Sequence, residues 1–575
     1  MRLKPSRNCW PLPASLLLAM SISLYGAETP DDTAKTEQIA QLRHAIAAQQ
    51  KQLEMLRRTL EQQQKLLSEM AASPDFPVHD FRLNDLRPNS GTVASLAPVL
   101  PSPAQAMAPL PASAAQTPAP ASAASKNPCD APPDSNAVPA YLRLGSVCIV
   151  PVGFMDLTAV FRDKNAASSL GSNFGSVPFS NAVNGNLSEF RFSPQNSRLG
   201  ARVDGDWKGA HFIGYNEFDF LGTSGATNLT VTNGAFVPRL RLFWVDVRKG
   251  KLEFLAGQSW SMLTPNRRGM SALPGDLFYS QVIDVNYMAG LTWTRQPGIR
   301  LLYRPNDKIT FGISAENPDQ YIGGSAGGSG ITLPAAYASL GGTQLDNANN
   351  IGVSNPVLAV PTVAPDFIAK FAFDPSSKFH FEIAGIERTF RIVNPAVLSQ
   401  KFTKSGGGVQ LGLNAELLRN FRFITTNYAS DGGGRYLFGQ APDLIVHSDG
   451  TLGTVHSAGT VDGFEWTIKD ALLYTYYGGI YIGRNAGLDA NGTTKIGYGY
   501  AGAPNSQNRA IHEFTIGFNQ TVWKDPRYGA FNIMGQYEYL RRNPWAVAVG
   551  APKNAHDNTI YMNIRYTLPG SMPNF

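Results

Sequence analysis

The sequence predicts an all-β transmembrane barrel of sixteen antiparallel strands, preceded by an α-helical coiled coil and a disordered linker. Three observations lead there. Between residues 141 and 575 short runs alternate apolar and polar side chains, and their connections alternate between tight turns and long excursions. Beyond the N-terminus no stretch of roughly 18 consecutive apolar residues occurs, which excludes helical membrane spans. A chain crossing hydrocarbon with strands must close every backbone hydrogen bond between neighbours, so an even number of strands with short turns on one side and long loops on the other is the expected rhythm.

The elements follow in chain order. Arg2, Lys4 and Arg7 precede an apolar stretch from Leu16 to Tyr25 and the small pair Gly26-Ala27, the pattern of a secretory signal peptide over 1–27. Export leaves Cys129 and Cys148 in an oxidising compartment, where a disulfide between them or two free thiols are both open. Over 28–71 the positions Ile39, Leu42, Ile46, Gln49, Leu53, Leu56, Leu60, Gln63, Leu67 and Met70 step in threes and fours. This heptad seam, ~48 Å long at 1.5 Å per residue, predicts a coiled coil with Gln49 and Gln63 as polar layers that fix register. Residues 72–140 are rich in Pro, Ala and Ser; such a linker has no core to bury and separates the coil from the barrel of 141–575.

Within the barrel the runs are 152–161, 197–207, 210–220, 239–248, 251–260, 298–304, 308–316, 366–373, 378–388, 406–417, 421–429, 462–469, 471–483, 511–522, 529–540 and 559–568. Phe367, Ala369, Phe371 and Phe373 occupy every second position of one run, and Ile560, Met562, Ile564 and Tyr566 do so in the last. Lys208-Gly209, Lys249-Gly250 and Leu418-Arg419-Asn420 are among the tight turns; 162–196, 221–238, 261–297, 317–365, 389–405, 430–461, 484–510 and 541–558 are the long connections. Pro569 and Pro573 cannot donate to a ladder, so the last strand should stop near Leu568.

Alternation also assigns the lumen. In the second run Leu199, Ala201 and Val203 point out and turn Arg198 and Arg202 inward. In the fourth, Leu240, Leu242 and Trp244 point out and Arg239 and Arg241 inward; in the sixth, Ile299, Leu301 and Tyr303 point out and Arg300 and Arg304 inward. The connection 261–297 leaves the wall beside them, carries Arg267 and Arg268, and is long enough to fold into the pore as a constriction loop. Arg198, Arg202, Arg239, Arg241, Arg267, Arg268 and Arg300 therefore form the expected substrate-binding filter. Guanidinium is always charged and matches a carboxylate with two parallel hydrogen bonds, so a series of weak sites can pass an anion along. Glu217, Asp219, Glu382 and Glu538 also face inward, either setting up a transverse field or neutralising the arginines. The competing reading is that lumenal charges brace the wall and an infolded loop.

The segments Asn196-Ser197-Arg198-Leu199-Gly200, Ala256-Gly257-Gln258-Ser259-Trp260-Ser261 and Tyr474-Thr475-Tyr476-Tyr477-Gly478-Gly479, together with the order signal peptide, coil, linker and barrel, resemble the DcaP-like family of trimeric outer-membrane porins. The resemblance implies homotrimers in the cell outer membrane that pass small anionic solutes, notably dicarboxylates, with the N-terminal region in the periplasm. Outer-membrane lipid and lipopolysaccharide would be its surroundings, and the coil a possible contact with the cell wall. No enzyme or metal motif appears: the histidines are scattered, no His-x-x-x-His or Cys-x-x-Cys occurs, and no cofactor is expected. His512, the histidine best placed for a lipid-facing hydrolase pair, has no serine at matching height. Nucleic-acid binding has no support beyond a pI of about 9.0. Two other classes stay open: a structural tether between outer membrane and cell wall, and a channel for neutral or sugar solutes. Tyr474, Tyr476, Tyr477 and Tyr481 would belong to the latter, but alternation splits them between lipid and lumen.

Overall fold

The computed structural model describes residues 140–571 except 167–169, 223–235, 278, 324–329, 341–343 and 346–359. The expected signal peptide, coiled coil and nearly all of the linker lie outside these residues. Sixteen strands form the wall. They are β1 (Val147–Arg162), β2 (Arg198–Trp207), β3 (Ala210–Gly222), β4 (Val237–Lys249), β5 (Leu252–Trp260), β6 (Arg295–Asn306), β7 (Ile309–Glu316) and β8 (Asp366–Ser376). The circuit continues through β9 (Phe379–Asn394), β10 (Val397–Leu418), β11 (Phe421–Asp431), β12 (His456–Ile468), β13 (Ala471–Ile482), β14 (Asn508–Asp525), β15 (Gly529–Pro544) and β16 (Ala555–Thr567). Each pairs antiparallel with the next, and β16 pairs with β1 from Thr567↔Phe154 to Thr559↔Arg162, which closes the barrel and removes both sheet edges. Short strands at Leu142–Leu144 and Glu189–Ser193 add to β1.

The tight turns have the chemistry the short end needs. Lys208 and Gly209 both sit at positive φ, 48° and 74°, so a two-residue loop follows the twist of its strands. Along the wall the exposed positions read Met155, Leu157 and Phe161 on β1, Ile299, Leu301 and Tyr303 on β6, Phe367 on β8, Val409 and Leu411 on β10 and Ile560, Met562 and Ile564 on β16. Their alternates, among them Asp156, Thr158 and Arg162 on β1 and Asp557, Thr559 and Asn563 on β16, are buried. A monomer in water does not leave so continuous an apolar belt uncovered. The last strand ends at Thr567, and the 3-10 turn Pro569–Ser571 caps the barrel seam, with the Gly153 amide donating to Ser571 Oγ at 2.6 Å.

Three expectations need correction. The connection expected over 389–405 is a strand hairpin: β9 and β10 stay paired out to Asn394↔Val397, leaving only residues 395–396 between them. Beyond the apolar belt Phe390 and Ile392, both 0% exposed, pack on the inner face of this ribbon under the outer loops while its outer face meets water, so the apolar/polar contrast on which the reading relied is reversed. On β4 the register slips between Glu217↔Leu242 and Phe218↔Leu240. This β-bulge turns Leu242 and Trp244 into the lumen, 0% and 4% exposed, and Phe243 and Val245 outward. Third, Arg542 is not in an outer loop: it lies on β15, buried, and donates to the Val177 and Asn505 carbonyls at 2.6 and 2.9 Å.

Candidate functional site: the infolded loop and the arginine wall

The connection from β5 to β6 folds into the lumen, and the wall holds it by a succession of polar anchors. The Met262 amide donates to Glu316 at 2.7 Å and the Asn266 amide to Glu382 at 3.2 Å. Next, the Gly269 amide donates to Asp374 at 3.0 Å. Arg267 grips Glu465 on β12 with both terminal nitrogens, at 2.5 and 3.0 Å. Farther along, the amides of Gln281, Ile283 and Ala289 donate to Tyr476, Gln536 and Glu513 at 3.0, 2.9 and 2.6 Å. Asp284 accepts from the Tyr561 hydroxyl at 3.1 Å and from the Ser172 amide, so the first long loop meets the third there. These anchors stand on β7 to β9 and β12 to β16. A loop whose regular structure is a single helical turn at Pro274–Leu277 owes its other amides a partner, and the lumenal side chains provide them.

The arginines gather on the remaining side. Arg241 on β4 donates to Glu217 and to Asp219, both at 2.7 Å, and Arg239 takes Asp219 with two nitrogens at 3.0 and 2.7 Å. Arg198 on β2 places Nη1 3.9 Å from Glu217 and donates to the Tyr287 hydroxyl of the infolded loop at 3.0 Å. Arg295, the first residue of β6, lies over the Trp260 ring at 5.8 Å from its centroid, the same distance as Arg241. Its Nη1 is buried without a hydrogen-bond partner. Four guanidiniums thus face two carboxylates, an excess of two positive charges on the stretch of wall beside the loop, where Arg198 touches the loop through Tyr287. The Arg239 side chain is 39% exposed, against 9% for Arg198 and 4% for Arg241.

The seven arginines expected at the filter separate into groups. Arg198, Arg239 and Arg241 come together around Glu217 and Asp219. Arg300 is buried at the root of the loop, donating to the Trp260 carbonyl at 2.7 Å. Arg267 is held on the far wall by Glu465: burial works against its charge, but that carboxylate outweighs it and keeps the guanidinium above its usual range. Arg268 follows it on the same loop, half-buried. Arg202 faces the lumen near the short turns, closed on Asp204 at 2.7 and 2.6 Å. Among the acids, Glu217 and Asp219 partner arginines directly. Glu382 pairs instead with Lys370 at 2.8 Å and His380 at 3.2 Å, and Glu538 accepts from Ser172 at 2.6 Å.

Sequence reasoning missed Arg295 and Lys370. Arg295 falls within the expected loop 261–297, and at the first residue of a strand parity carries no signal. Lys370 lies on an expected strand with inward parity, and the run Phe367-Ile368-Ala369-Lys370 contains the clue. Aromatic residues near the cluster, Trp260, Tyr287 and Trp293, are 1%, 7% and 6% exposed and pack on one another with centroids 4.8 to 6.4 Å apart. They form the floor of the loop, not a surface on which a sugar could stack.

No protein-family model matches the chain, and neither does any curated protein. Among solved structures, the outer-membrane channel DcaP of Acinetobacter baumannii superposes with a TM-score of 0.52 at 15% identity, over 74% of this chain and 98% of that one. An anion-selective porin from Comamonas acidovorans aligns with a TM-score of 0.43 at 12% identity, over 73% and 99%. OmpF of Salmonella typhi, in a complex with daunomycin, aligns with a TM-score of 0.40 at 10% identity, over 74% and 99%. The first of these likenesses bears out the antiparallel barrel fold.

Proposed function

We propose that the chain is an outer-membrane porin, a diffusion channel for small anionic solutes such as dicarboxylates. It works as a homotrimer with the coiled coil in the periplasm and the long loops facing outward among lipopolysaccharide. One observation carries the reading: the four arginines Arg198, Arg239, Arg241 and Arg295 stand with only two carboxylates on the wall beside the infolded loop. A passing carboxylate can take hydrogen bonds from Arg239 or Arg295 while Glu217 and Asp219 compete for the same donors. The solute is attracted by the excess charge yet never held tightly, which is the balance that conduction requires. The likeness to DcaP supports the channel architecture, and the apolar belt supports its place in a membrane.

The test is a reversal potential in planar bilayers across a potassium chloride gradient, followed by the block of chloride current by succinate. Anion selectivity with millimolar succinate block is the expected result. A cation-selective or unselective pore would overturn the anion reading and bring forward the channel for neutral solutes.

A further inference from the structure

Two aromatic residues inside the barrel hold a left-handed backbone that disfavours any side chain. Tyr287, on the infolded loop, has φ 61°, and Phe438, on the connection from β11 to β12, has φ 54°. Among the described residues the other non-glycine cases, Lys208, Asn420 and Lys469, sit in the tight turns between strands, where such a conformation is routine. A bulky residue keeps it only where its surroundings over-determine it. Both rings meet the same partner: Tyr287 stands edge-on to Trp293 with centroids 4.8 Å apart, and Phe438 lies face to face with it at 4.5 Å and 8°.

The surroundings of Phe438 fix it from several sides. Gly434–Tyr436 forms a 3-10 turn, after which the Gly439 amide donates to the Arg435 carbonyl at 3.0 Å and the Gln440 amide to the Leu437 carbonyl at 3.1 Å. The connection from β7 to β8 clamps both ends: Arg435 pairs with Asp319 at 2.7 Å, and the Tyr321 hydroxyl donates to the Gly439 carbonyl at 2.6 Å. The Trp293 amide donates to the Tyr436 carbonyl at 3.1 Å, and Phe174, from the connection between β1 and β2, meets the Phe438 ring edge-on at 6.0 Å. Tyr436, Leu437, Gln440 and Phe174 are fully buried, whereas Phe438 keeps part of its surface open. With one face on Trp293 and an edge on Phe174, what stays open inside the barrel faces the passage. Trp293 in turn packs on Trp260 at 5.3 Å, the ring over which Arg241 and Arg295 lie. Phe438 is thus two ring contacts from the arginine wall.

We propose that Phe438 sets the size limit of the passage, so that girth is selected by a ring from the β11–β12 connection while charge is selected by the arginines. An aromatic ring clamped in this way cannot swing aside for a wide solute, and its hydrocarbon surface offers no hydrogen bond in exchange for water that a bulky anion would have to shed. Carboxylates at the ends of a short unbranched chain pass; branched or ring-shaped anions of the same charge are turned back. The inference rests on the channel reading and deepens it by naming the residue that limits solute width.

Two substitutions of opposite sign test it in planar bilayers with the full-length protein. Phe438→Gly suits the left-handed backbone and removes the ring; Phe438→Trp enlarges it. Neutral polyethylene glycols of graded mass report the width, because a polymer lowers the conductance only if it enters. Phe438→Gly should admit larger polymers and raise the conductance roughly twofold, as expected where one constriction carries most of the resistance. Phe438→Trp should shift the cut-off to smaller polymers and lower the conductance. Phe174→Ala removes a fully buried ring from the same junction and should lower thermal stability with the cut-off unchanged. A cut-off that stays at the wild-type value in both Phe438 variants would overturn the proposal. So would one that rises in both, or rises equally in Phe438→Gly and Phe174→Ala, since the ring would then only tie the connections together. A wild-type pore without anion preference whose cut-off still moves in opposite directions would remove the arginine reading and leave the size filter standing.

Discussion

Replacing Arg239 and Arg295 by alanine together should abolish most anion preference without unfolding the barrel. These two are chosen because Glu217 and Asp219 both keep Arg241, at 2.7 Å to each, so neither carboxylate loses its last partner. The change takes the excess on the arginine wall from two positive charges to none. A unit charge ~6 Å from an ion in water contributes about 0.7 kcal/mol. A Debye length of ~10 Å at 0.1 M salt reduces that to ~0.4 kcal/mol. Two charges act on anion and cation with opposite sign, so the preference should fall by ~1.6 kcal/mol, a factor of ~10 in permeability ratio. The assay is the reversal potential in a salt gradient, with Arg202→Ala/Asp204→Ala as a control that removes a neutral pair near the short turns. A shift below twofold, or one equal to the control's, would refute the argument that the excess charge on this wall sets selectivity.

Other outcomes test the loop and the wall. Glu465→Ala removes the far anchor of Arg267 and Tyr476; it should lower thermal stability by ~3 kcal/mol, the typical cost of breaking a buried pair, and single-channel records should become larger and noisier. Lys370 and Glu382 are both fully buried, so Lys370→Met alone should cost ~3–5 kcal/mol in heat-modifiable gel mobility or circular dichroism, with much of it regained in Lys370→Met/Glu382→Leu. Arg542→Ala frees the Val177 and Asn505 carbonyls and should raise proteolysis of the first and seventh outer loops, while the reversal potential stays within twofold of wild type.

All sixteen wall strands were legible because one face of each meets hydrocarbon, which tolerates no substitute for alternation between Leu199 and Val203 or Ile299 and Tyr303. The inward acids Glu217, Asp219, Glu382 and Glu538 followed from the same parity. Legibility failed where that constraint lapses. The β9–β10 ribbon leaves the belt and turns its apolar side chains Phe390 and Ile392 inward, the bulge at Leu242 reverses parity without a glycine or proline to mark it, and Arg295 begins its strand before alternation starts. The filter was legible as a set of arginines but not as an arrangement. Nothing in the spacing of Arg202 and Asp204, or of Arg267 and Glu465, distinguishes a charge used for bracing from one left facing the solute.

The anchors of the infolded loop also impose an order in time. Glu465, which grips Arg267, and Tyr476, Glu513, Gln536 and Tyr561, which hold its second half, belong to β12–β16, the last strands of the circuit. Until those strands arrive the loop has only the contacts near its root, and once β16 has zipped onto β1 no gap in the wall remains through which it can be drawn inside. The passage is therefore shaped during closure and not afterwards, so a defect in the final strands should leave a wrongly gauged pore even where the wall itself is complete.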